Sequence, residues 1–163
     1  MNKCVSRYGE PVYLNVYDIF SYNNFLHPIG LGFYHTGIEV NGVEYIFGDG
    51  VMEIQPKQDL DFATFRESIE IGRVKLFSSE IRRRIYTLSN DFTSDDYNPI
   101  LNNCNDFSNA VSQRLLNKNI PNYINRWANT GKTLNNIYNN LFGSCKNKCK
   151  KFSTFSGNKY NLK

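Results

Sequence analysis

Cys104 sits in Leu101-Asn102-Asn103-Cys104-Asn105-Asp106-Phe107-Ser108-Asn109, where a short run of small polar residues delivers a thiol into the first turn of a helix. Phe107, Ala110, Val111 and Leu115 follow at helical spacing, so the helix starts within a residue or two of Cys104 and runs to about Leu116. A thiol at that place meets unpaired backbone N–H groups and the positive end of the helix dipole, which favour thiolate over thiol and predict a depressed pKa. A nucleophilic cysteine needs a base, and the chain holds only two histidines, His27 and His35. His27 precedes Pro28 in a loop and has no geometry that sequence can argue. His35 lies in the strand Tyr34-His35-Thr36-Gly37-Ile38-Glu39-Val40, where a period of two sends Thr36, Ile38 and Val40 to the core. His35, Gly37 and Glu39 then point away from it, and Gly37 leaves room beside the imidazole. His35 is the better base, able to take the thiol proton and return it to a leaving group. The first-turn amides after Cys104 also suit the oxyanion of an acyl transfer.

The same residues also fit blander roles. On a helical wheel Cys104 falls with Phe107, Val111 and Leu115, as an ordinary buried cysteine would. Glu39 and Asp18 are candidates to orient His35, and equally fit solvated or capping groups.

Around this pair the chain reads as strands first and helices after, which predicts an α+β fold. Val12, Leu14 and Val16 alternate within a first strand ending near Ile19. Asn41-Gly42, the dipeptide preferred in type I′ turns, joins Tyr34–Val40 to Val43–Phe47 as a hairpin. Ile69–Leu76 is a further strand. Ser78 or Ser79 caps a helix through Ile81, Ile85, Leu88 and Phe92. A last amphipathic helix spans about Lys132–Phe142.

Composition narrows the function classes. At 163 residues the chain is one domain, large enough to bury a core without disulfides or metal. Residues 143–163 hold six of the 19 basic residues and no acid, leaving 13 basic against 15 acidic residues before them. The net charge of +4 therefore belongs to a tail, which argues against a nucleic-acid-binding face. That tail, carrying Cys145 and Cys149 among lysines, reads as disordered, with weak attraction to anionic membrane as its alternative role. Cys145 and Cys149 lack the further ligands of a zinc site, so no metal is expected. The first residues have no hydrophobic core of a signal peptide, and no window is long and apolar enough to span a membrane. The expected location is the cytoplasm, with the nucleus also open to it, where thiols stay reduced.

Four blocks then resemble a known family in its order: Pro11-Val12-Tyr13-Leu14-Asn15-Val16-Tyr17-Asp18, Gly30-Leu31-Gly32-Phe33-Tyr34-His35-Thr36-Gly37-Ile38-Glu39-Val40, Asn102-Asn103-Cys104-Asn105-Asp106-Phe107-Ser108 and Ile120-Pro121-Asn122-Tyr123-Ile124-Asn125-Arg126. They are similar to the signatures of the PPPDE or DeSI-like peptidases. The resemblance implies a circularly permuted papain-like cysteine peptidase fold, with a small curved antiparallel sheet packed with helices. It implies a dyad of His35 and Cys104, no cofactor, and removal of ubiquitin or a SUMO-like modifier from proteins. S-acyl thioester hydrolysis by the same dyad is the alternative, and a non-catalytic binding module the third. The expected organisation is a 1–9 extension, a 10–142 peptidase domain and the 143–163 tail. One departure stands out: only Gly48 to Gln55 lie between Phe47 and Pro56, where related members carry a longer loop.

Overall fold

Val12, Leu14 and Val16 alternate with Tyr13, Asn15 and Tyr17, and that period of two gives β1 (Glu10–Asp18) one apolar and one polar face. The computed structural model describes residues 7–19, 33–98 and 102–124. Within them β1 is followed by β2 (Tyr34–Val40), β3 (Val43–Gly48), β4 (Gly50–Ile54) and β5 (Thr64–Val74), then by α1 (Ser78–Tyr86) and α2 (Cys104–Leu116). The strands form one antiparallel sheet in the order β4-β3-β2-β1-β5. Irregularities between Val12 and Tyr13 and between Val16 and Tyr17 bend the β1–β5 pairing, as bulges do. The fold is α+β as expected, a small curved sheet with its histidine strand ahead of its cysteine helix in the permuted papain-like order.

The hairpin forms for the reason its sequence gives. Asn41 and Gly42 both take positive φ, 55° and 76°, which the I′ turn demands. The cysteine helix also has the predicted bounds. Asn103 caps it by accepting from the Asn105 and Asp106 amides, while the Asp106 carboxylate accepts from the Asn103 amide at 2.9 Å. Asn117, left-handed at φ 54°, ends it.

Three elements differ from expectation. Gly48–Gln55 is not simply a short loop: Gly50, at φ 87°, lets the chain reverse at once and return as the edge strand β4. β5 begins at Thr64 rather than Ile69, because pairing with β1 down to Asp18 recruits the polar Arg66-Glu67-Ser68 stretch. α1 stops at Tyr86, short of Phe92. Thr87 Oγ1 donates to the Arg84 carbonyl and Ser89 Oγ to the Tyr86 carbonyl, and the backbone tightens into a 3-10 turn at Thr87–Asn90. Neither Ser78 nor Ser79 caps that helix; Phe77 holds the cap position without a side-chain bond.

Helix α2 packs on the apolar face of the sheet. Phe107 and Val111 are fully buried with Val12, Leu14, Val16 and Ile38, and α1 adds Ile81 and Ile85. Each such side chain contributes about 1.5–3 kcal/mol by leaving water. Phe92 closes on Phe107 and Phe47 with ring centroids 5.3 and 5.2 Å apart. No helix among the described residues is long and apolar enough to cross a membrane. His27, the helix expected over 132–142 and the tail from 143 lie outside the described residues.

Candidate active site

The Thr36 hydroxyl faces α2, 2.9 Å from both Asn105 Oδ1 and Ser108 Oγ. Asn105 Nδ2 donates to the Tyr34 carbonyl at 3.2 Å. These bonds fasten the start of α2 to the start of β2. Cys104 is thereby held against the residue that follows His35 in β2. Its Sγ donates to Asn105 Oδ1 at 3.7 Å, and the Thr36 backbone amide points to the sulfur.

The balance of forces on the thiol differs from the expectation of a depressed pKa. The amides of Thr36, Asn105 and Cys104 all pull the pKa down, as a helix start should. Burial outweighs them, helped by the Asp106 carboxylate in the same turn, and pushes the thiol up to about 12. Cys104 is 4% exposed. Burial thus holds the Cys104 sulfur as a thiol rather than a thiolate.

His35 does lie on the opposite face of β2 from Thr36, but that face is not open. Tyr17, its register partner on β1, sets a ring 5.9 Å away, and Phe62 meets it edge-on at 5.2 Å. The imidazole is buried, and burial lowers its pKa to about 4. Among the described residues its Nε2 has no hydrogen-bond partner. The room beside Gly37 is filled as well, because a Cβ there would collide with the Glu44 carboxyl.

Neither carboxylate proposed to orient the ring bonds to it. Asp18 pairs with Arg66 at 2.9 Å, and Glu39 with Lys57 at 3.3 Å. Sequence reasoning missed Thr36, Asn105 and Ser108, whose contacts span about seventy residues of chain. Asn105 and Ser108 do lie three apart on one helical face, the only local signal of their joint role. No group of three or more potential metal ligands occurs among the described residues.

Residues 10–142 match the family model of the PPPDE putative peptidase domain. The chain belongs to this PPPDE family. It is 42% identical over 127 residues to a desumoylating isopeptidase 1 homolog of Caenorhabditis elegans, covering 72% of this chain and 38% of that protein. A DeSI-like protein of Arabidopsis thaliana is 39% identical over 131 residues, 77% of this chain and 58% of its own length. The human desumoylating isopeptidase 1 is 31% identical over 121 residues, 70% of this chain and 72% of its own. The chain thus spans well under two thirds of the worm and plant relatives.

Proposed function

We propose that this PPPDE chain is a cysteine isopeptidase that releases a SUMO-like or ubiquitin modifier from proteins, with Cys104 as nucleophile and His35 as base. The observation that carries this reading is the fastening of the cysteine helix to the histidine strand through Thr36 and Asn105, with the imidazole Nε2 unpartnered among the described residues. A buried donor or acceptor without a partner costs about 1–3 kcal/mol, so this one calls for a purpose. The names of the worm and human relatives favour SUMO conjugates as substrates.

In this scheme the Cys104 proton passes to His35 Nε2 and the thiolate attacks the isopeptide carbonyl carbon. The backbone amides that already address the sulfur stabilise the charge that develops. The imidazolium then protonates the departing lysine amine, and water, deprotonated by the neutral imidazole, hydrolyses the thioester. Burial opposes both ions of the pair separately. Formed together, each supplies the countercharge the other lacks, so proton transfer is coupled to the approach of the two groups.

The test is a panel of SUMO and ubiquitin proteins carrying C-terminal electrophiles, run beside a fluorogenic S-acyl thioester. Labelling of Cys104 by a modifier, lost in His35→Ala, is the expected result. Turnover of the thioester with no modifier labelled assigns the chain to protein S-acyl thioesterases instead. No labelling and no turnover of either substrate leaves a binding module.

A further inference from the structure

Glu44 is a fully buried carboxylate that the proposed reaction does not use. It lies on β3 opposite Glu39 of β2, on the sheet face turned away from α2. Among the described residues no cation pairs with it, since the Lys57 ammonium goes to Glu39. Uncharged donors serve it instead. Asn15 Nδ2 donates at 2.6 Å, the Tyr17 hydroxyl lies 2.9 and 2.8 Å from its two oxygens, and the Lys57 backbone N–H donates at 3.1 Å. Burial drives the carboxyl pKa up while these bonds draw it back, so the group's buried oxygens are met by hydrogen bonds rather than by a countercharge. Only glycine at position 37 leaves it space.

The donors lead outward by two routes. Tyr17, its hydroxyl tied to both carboxylate oxygens, packs its ring against His35 at 5.9 Å. Lys57, left-handed at φ 64°, is held by its amide and anchors the segment 55–63. That segment closes on itself through the Leu60–Ala63 pair and sets Phe62 edge-on to His35 at 5.2 Å. Both routes from one carboxylate end on one imidazole.

We infer that Glu44 is the positioning residue of His35, fixing the ring through Tyr17 on one side and through the Lys57-to-Phe62 segment on the other. This rests on His35 being the base. The carboxylate acts without touching substrate: it sets where the imidazole can point and keeps water from it. Misplacing a reacting group by about an ångström lowers a rate roughly a hundredfold, so a slack imidazole has a kinetic signature.

The experiment follows the ring itself. The chain has two histidines, so ring-labelled protein gives two sets of NMR signals, and His27→Gln assigns them. Wild type, Glu44→Gln, Tyr17→Phe and Phe62→Ala are titrated, and each is assayed on a SUMO C-terminal aminocoumarin amide. In wild type the expected result is a His35 titration near 4, where burial places it. In the variants its titration moves up towards the ordinary 6.5, and kcat falls roughly tenfold to a hundredfold with KM little changed. If Glu44→Gln does not fold, the other two variants carry the test, because each cuts one route and leaves the carboxylate in place. An unmoved His35 titration and unchanged kcat, with only a lowered melting temperature, make Glu44 a part of the fold and overturn the inference. Unchanged kcat in all three variants beside an inactive His35→Ala overturns it alone. Full turnover by His35→Ala overturns the dyad as well.

Discussion

The two faces of this sheet bury side chains by different physics. On the face under α2, Val12, Leu14, Val16 and Ile38 meet Phe107 and Val111, and the contact is apolar and non-directional. On the other face, Asn15, Tyr17, Glu44 and His35 are as well buried, yet Asn15, Tyr17 and Glu44 are joined by hydrogen bonds whose donors and acceptors must match one by one. Cys104 takes its place from the first face and His35 from the second. The apolar face packs without direction, the polar face is joined bond by bond, and the proposed dyad draws one residue from each side of the start of β2.

Four measurements would break or sharpen that contrast. The largest effect belongs to Cys104→Ala, which should lower turnover by several orders of magnitude with only a small change in unfolding midpoint. Retained turnover would make Cys104 one more packed residue of the apolar face. Phe107→Ala comes next and should cost about 3–5 kcal/mol in urea unfolding, because a fully buried ring leaves a cavity between α2 and the sheet. A cost below about 1 kcal/mol would mean the helix is not anchored there.

The third measurement probes the polar face through pH. His35 has a folded pKa of about 4 against 6.5 unfolded, so between those values the unfolded chain binds a proton that the folded chain refuses. Stability from this group is complete above pH 6.5 and falls as pH drops to 4, by about 3 kcal/mol in all. The raised carboxyl of Glu44 works in the opposite sense over its own window. The quantity to measure is therefore the difference between wild type and His35→Gln in matched buffers. A constant difference from pH 7 to 4 would place the imidazole in contact with water. The smallest effect is that of Thr36→Val, which keeps the shape of the side chain but strips the hydroxyl from Asn105 and Ser108. It should cost about 1–3 kcal/mol, and alkylation of Cys104 should change with it as the helix start loosens.

Much of the site was legible in the chain for reasons that stay local. The cysteine helix begins at Cys104 because Asn103 and Asp106 cap it three residues apart, and it ends where Asn117 can turn left-handed. The hairpin around Asn41-Gly42 likewise needs only the φ of two adjacent residues. β4 was hidden because its partner is needed to make Gly50-Val51-Met52-Glu53-Ile54 a strand. The early start of β5 and the shortening of α1 came from cross-strand pairing and from hydroxyls competing for carbonyls.

By itself, then, the sequence determined where the thiol and the imidazole sit in their elements: one at a helix start, the other near the beginning of a strand on the face opposite Thr36. Only the tertiary structure decided what those groups are when they arrive. Capping bonds and turn angles are set over three or four residues, whereas desolvation sums over every atom that displaces water. The same helix start that favours a thiolate at Cys104 is therefore overruled by the packing around it, and the histidine expected in open space is closed in by Tyr17 and Phe62.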